Sequence, residues 1–170
     1  MRTTVLLASA CLLVAAPAVA QTPSQPASEA PSTQDFVKKA AISGLFEVQS
    51  SELALQKHPD RDTKPFANQM IKDHTAANKQ LKSLVSKGKV DATLPTALDA
   101  DHQKMLDDLR SLDGKQFDET YDKDQLEGHE QAVDLFRAYA QNGDNKELKS
   151  WAAKTLPHLE HHLAMAKKLQ

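Results

Sequence analysis

The sequence predicts an all-α protein: a four-helix bundle whose second and third long helices are joined by a long crossover containing a short helix. Three observations carry this. From residue 34 onward, apolar residues recur at three- and four-residue spacing, and no strand-like alternation persists. Glycine is sparse, at 5 residues, and aromatics are 5% of the chain, which disfavours sandwiches, barrels and glycine-rich phosphate-binding folds. The breakers that do occur (Pro59, Gly88, Pro95, Gly114 and Gly143) fall between the periodic runs.

The first helix, α1, is predicted over about 35–57, with a stripe of Val37, Ala41, Gly44/Leu45, Val48 and Leu55. Helix α2 covers about 63–87, with Asp62 or Thr63 at its N-cap and Pro65 in its first turn, where a missing N–H does no harm. Its stripe is Phe66/Ala67, Met70, His74, Ala77, Leu81 and Leu84/Val85. A shorter helix, α3, at about 97–112 carries Leu98, Met105/Leu106, Leu109 and Leu112. Helix α4, about 116–141, shows Phe117, Tyr121, Gln125, His129, Ala132/Val133, Phe136 and Ala140. Asp144 is expected to cap α5, with Glu147 three residues later completing a capping box. The α5 stripe is Leu148, Trp151/Ala152, Leu156, Leu159, His162/Leu163, Ala166 and Leu169, and Pro157 is expected to kink or restart it. The long helices measure roughly 35–39 Å at 1.5 Å per residue. Paired antiparallel, with α3 inside the crossover, they give a ferritin-like arrangement.

The first 20 residues read as a secretory signal peptide. A short basic start precedes an apolar run from Val5 to Val19, and Ala18-Val19-Ala20 is an A-x-A cleavage site. The run is about 15 residues and contains Pro17, short of the ~20 a bilayer span needs. Cys11 lacks the leading Leu of a lipoprotein site. Residues 21–33 form a flexible Pro/Ser-rich linker, so the bundle domain is 34–170, with no transmembrane segment after cleavage.

Lys+Arg 21 against Asp+Glu 23 leaves a net charge of −2, which argues against nucleic acid or an anionic membrane surface as partner. The single cysteine excludes an intramolecular disulfide and a cysteine-based zinc site. No G-x-S-x-G elbow, P-loop or G-x-G-x-x-G occurs, and the chain reads as a non-enzyme. Asp73 and His74 are adjacent on a helix and face ~100° apart, so they are poor partners for acid–base work. Asp107-Asp108 and the Glu119/Asp122/Asp124 group read as solvated faces, and Trp151 and Tyr121 as core anchors.

Several segments together resemble a known family. They are the Phe36-to-Val48 stretch ending in Phe46-Glu47-Val48, and Met70-Ile71-x-Asp73-His74-Thr75-x-Ala77-Asn78. Phe117-Asp118-x-x-Tyr121, His129-Glu130-x-Ala132-Val133-x-Leu135-Phe136 and the Thr155-to-Ala166 stretch follow in order. The chain resembles bacterial domain-of-unknown-function family 4142 over about 34–169. The resemblance implies a ferritin-like bundle outside the cytoplasm, periplasmic or secreted, in a family often labelled outer-membrane proteins. It implies no established activity. The alternating ten-residue strands of a membrane barrel are not found in this sequence.

Histidine is the unusual count, at 7. His74 and His129 lie on the stripes of α2 and α4, and His158 and His162 are four apart on α5, on one face. Helix midpoints near 46, 75, 128 and 157 place Glu47, His74, His129 and His158 at mid-height. His162, like the alternative carboxylate Glu52, is one turn away, ~6 Å. His58, His102 and His161 read as exposed.

Two main readings stand. In the plainer one the histidines form a buried polar layer, His74 bonding Glu47 and His129 bonding a partner on α5, which fixes helix register. In the other, Glu47, His74, His129, His158 and His162 bind a transition-metal ion, for which the i, i+4 pair on α5 is well spaced. The Glu-x-x-His motifs of di-iron bundles are absent. A pH-sensing role is a third use of the same residues. The functions that follow are an exported envelope bundle with a binding or structural role, linked to stress through the ferritin-like resemblance; a metal storage or sequestration protein; or a surface interaction protein whose tether reaches an envelope partner.

Overall fold

The computed structural model describes residues 31–57 and 61–170. The expected signal peptide, nearly all of the expected linker, and His58 lie outside the described residues. Among the described residues five helices follow one another: α1 Thr33–Gln56, α2 Thr63–Ser86, α3 Ala100–Ser111, α4 Gly114–Asn142 and α5 Lys146–Ala166.

Capping sets the boundaries. Ser32 Oγ accepts from the Asp35 N–H at 3.1 Å and donates back to its carboxylate at 2.8 Å, so α1 starts at Thr33, inside the expected linker. Asp99 caps α3 by accepting from the His102 N–H at 3.0 Å, so that helix begins later than its apolar pattern indicates. Asn145, not Asp144, caps α5, accepting from the Leu148 N–H at 2.9 Å. Asp144 instead accepts from Tyr139 Oη at 2.9 Å and from Thr33 Oγ1 at 2.5 Å. This ties the start of α1 to the α4–α5 turn. Helix α5 continues through Pro157 as one element.

The long helices form two antiparallel hairpins, α1 with α2 and α4 with α5. Helix α1 also packs on α4, and α2 on α5, leaving α2 diagonal to α4. Helix α3 lies against α1 and places Leu106 and Leu109 in the core.

The core has two apolar parts. One gathers Phe36, Leu81, Phe136, Tyr139, Trp151 and Leu159. The other gathers Phe46, Phe66, Met70, Leu109, Phe117 and Tyr121. Between them each long helix buries polar side chains: Glu47 and Ser50 on α1, His74 on α2, Gln125 and His129 on α4, His162 on α5. The buried face of α1 therefore runs through Glu47, Ser51 and Ala54, while the expected stripe residues Val48 and Leu55 are half-buried.

Candidate metal centre

Three histidines from three helices meet in this polar seam. The ring centroids of His74 and His129 are 5.7 Å apart, those of His74 and His162 5.3 Å, and those of His129 and His162 5.5 Å. One nitrogen from each lies within 4.8 Å of the other two. All three side chains are buried, with exposures of 7% for His74, 1% for His129 and 2% for His162.

Hydrogen bonds assign two of the tautomers. His129 Nδ1 donates to the Gln125 carbonyl at 2.8 Å, leaving Nε2 with its lone pair. His162 Nε2 donates to Asp73 Oδ2 at 2.9 Å, leaving Nδ1 bare. The same Asp73 oxygen accepts from Gln69 Nε2 at 2.6 Å. Three buried ring nitrogens have no hydrogen-bond partner: His74 Nε2, His129 Nε2 and His162 Nδ1. A buried polar atom normally finds a partner, and one left without costs about 1–3 kcal/mol.

The electrostatics favour the neutral ring at His74 and at His162. Burial pushes His74 well below the usual imidazole range, and the neighbouring His129 and His162 push the same way. Burial pushes His162 down to about 4, although Asp73 opposes this. Burial acts to raise Asp73, but the hydrogen bonds from Gln69 and His162 outweigh it and hold the carboxyl below its ordinary value. Neutral imidazole is the form that binds a metal.

These residues fit a borderline or soft ion. Three nitrogens without a carboxylate suit copper or zinc and are poor ligands for magnesium or calcium, which take oxygen. An ion held by all three would draw their donor nitrogens together.

The other candidates fall elsewhere. Glu47 is buried at 2% but stands outside the histidine group, on α1, with Gln125 as its hydrogen-bond partner. It is not the partner of His74, and His129 bonds within its own helix rather than to α5. Burial raises the Glu47 carboxyl, with His129 and Gln125 opposing. His158 is exposed and outside the group. His162 takes its place because of the face it occupies on α5, not because of its level. Asn142 and Lys146 flank the turn, so His129, thirteen residues before it, is level with Leu159, thirteen after it. His162 is on the buried stripe with Leu148, Ala152, Leu159 and Ala166, whereas His158 is turned off it. Glu52 and His161 are exposed. His102 is half-buried rather than exposed, edge-on to Phe46 with ring centroids 5.6 Å apart, because α3 packs on α1. Asp122 is buried rather than solvated, and Asp124, half-buried, is pushed up to about 6 by burial and by Glu127.

Sequence reasoning gave Gln69 no role, set Asp73 aside as a poor partner of His74, and counted Gln125 only toward the α4 stripe. The ~100° offset that turns Asp73 away from His74 is what turns it toward α5, and Gln69 is four residues earlier on the same face. A cavity of about 350 Å³ borders His74 and His162. Gly44 shares its wall, and a Cβ there would come within 2.1 Å of Asn78 Oδ1, so the glycine permits this close approach of α1 and α2.

A family model described as "Domain of unknown function (DUF4142)" matches residues 17–169. No curated protein matches the sequence. Among solved structures, the chain is similar to one described as "CopM in the Cu(I)-bound form". The identity is 20% and the TM-score 0.66, over 81% of this chain and 94% of that one, a likeness of fold alone.

Proposed function

This chain belongs to the DUF4142 family, whose description carries no activity, and from that premise we propose that it is a binding protein for a copper- or zinc-class ion. The ligands are His74 Nε2, His129 Nε2 and His162 Nδ1. The observation that carries this reading is that three buried histidines lie together and each has a ring nitrogen without a hydrogen-bond partner. A layer that merely fixes helix register would satisfy its ring nitrogens, and this one leaves one on each ring. The fold likeness to a protein described as Cu(I)-bound supports the same direction.

The chain's own groups prepare the site. The Gln125 carbonyl and the Asp73 carboxylate hold two rings in the tautomer whose free nitrogen faces the seam, and they make those nitrogens better donors. Asp73 also places a negative charge beside the seam to offset an incoming cation. Storage or sequestration is the role we read for this site. The export signal read in the first 20 residues would carry that role outside the cytoplasm, into the envelope.

The test is stoichiometric. Purified protein titrated with Cu⁺ under reducing conditions and with Zn²⁺ binds one ion per chain, and His129→Ala with His162→Ala together remove that binding. Retention of the ion by the double variant would reject the site.

A further inference from the structure

We propose that an ion reaches the three histidines through the cavity beside them, and that His158 and Asp73 on its wall form the point of capture. The inference rests on the metal reading above. It begins from burial: none of the three rings is more than 7% exposed, so an ion in solution needs a route. The cavity of about 350 Å³ supplies one. His74 and His162 line it, together with Asp73, His158, Lys154 and Trp151, whereas His129 stands behind them.

The wall is graded from water to seam. His158 is exposed, and His162, four residues on, is on the adjacent turn, about 6 Å along the helix. Asp73 shares the cavity wall with both, and its carboxylate accepts from His162. A cation arriving at the mouth meets an exposed imidazole and a carboxylate, then the inner rings. Lys154, four residues before His158, is the opposing charge on this wall. Capture therefore has a sign: removing the imidazole slows loading, and removing the ammonium speeds it.

Trp151, the sole tryptophan, lines the same cavity and reports on it. Stopped-flow quenching of its fluorescence by Cu²⁺ measures association, and competition against a chelator measures Kd. In His158→Ala, association and dissociation both slow by about tenfold while Kd stays within threefold, since the route changes and the ligands do not. In Lys154→Gln, association accelerates, more so at low ionic strength. An unchanged loading rate in His158→Ala overturns the capture role alone. A Kd weakened more than tenfold also overturns it, because His158 is then a ligand. If the full chain shows no Cu²⁺ quenching that depends on His129 and His162, this inference fails together with the metal reading.

Discussion

Asp73 Oδ2 accepts a hydrogen bond from His162 Nε2 at 2.9 Å across the α2–α5 contact, and that bond leaves His162 Nδ1 free in the seam. Replacing the carboxylate with a carboxamide keeps an acceptor and removes the charge. Asp73→Asn should weaken Zn²⁺ or Cu⁺ binding by about tenfold or more, with the fold intact by circular dichroism. Isothermal titration against the wild type decides this, and equal affinities would remove Asp73 from the site.

His74→Leu separates the metal site from a register-fixing layer. The His74 Nε2 atom has no partner, so an apolar side chain of similar size should leave apo stability within about 1 kcal/mol of the wild type. Ligand at a hundred times Kd stabilises the wild type by about 2.7 kcal/mol. The leucine variant should lose that gain. Denaturant melts with and without Zn²⁺ measure both quantities, and a large apo loss in the variant would favour the polar layer.

His162 carries a pH signature. Its folded value, about 4, lies below the ordinary 6.5, so the unfolded chain takes up a proton first as pH falls. The stability it confers is complete above pH 6.5 and is lost as pH drops toward 4. At about 1.4 kcal/mol per unit, the loss is on the order of 3 kcal/mol. Comparing the wild type with His162→Asn across this range isolates it from the other titrating groups. The wild type should lose ground to the variant as pH falls.

Glu47 has the opposite sign. Its folded carboxyl is raised above 4.5, so the unfolded chain gives up its proton first as pH rises. Stability is lost upward from pH 4.5 until the folded carboxyl ionises. Glu47→Gln removes that titration and should be the more stable protein at neutral pH. A thermal melt at pH 7 in which the glutamine variant unfolds first would contradict this.

Gly143 holds the α4–α5 register. A Cβ there would lie 2.6 Å from the Tyr139 carbonyl oxygen and 2.5 Å from its ring. Gly143→Ala should cost about 1–3 kcal/mol. It should also weaken metal binding, because this turn sets His129 against His162. Loss of stability with unchanged metal affinity would show that the seam tolerates a shift of the turn.

The helices were legible because each long one carries apolar residues at helical spacing. His74 and His129 were legible as interior because they fall on those stripes. His162 was legible in the same way, since it falls on the α5 stripe and His158 does not. Helix midpoints put His158 first, but the face of α5, not the level along the bundle, decides between the two. Asp73 was set aside because it was judged against its chain neighbour, when its partner is 89 residues away. Asp144 looked like a cap because of Glu147, but its carboxylate is engaged by Tyr139 and Thr33, and Asn145 does the capping.

The two apolar parts of the core meet at a layer where the rings touch few satisfied partners. Local opening free energies follow such boundaries, so the apo bundle should fray from this middle into halves that exchange their amide protons at different rates. An ion held from α2, α4 and α5 would act as a rivet through both halves. The protein would then melt as one cooperative unit, and amides in both apolar parts, around Trp151 on one side and Tyr121 on the other, would slow together.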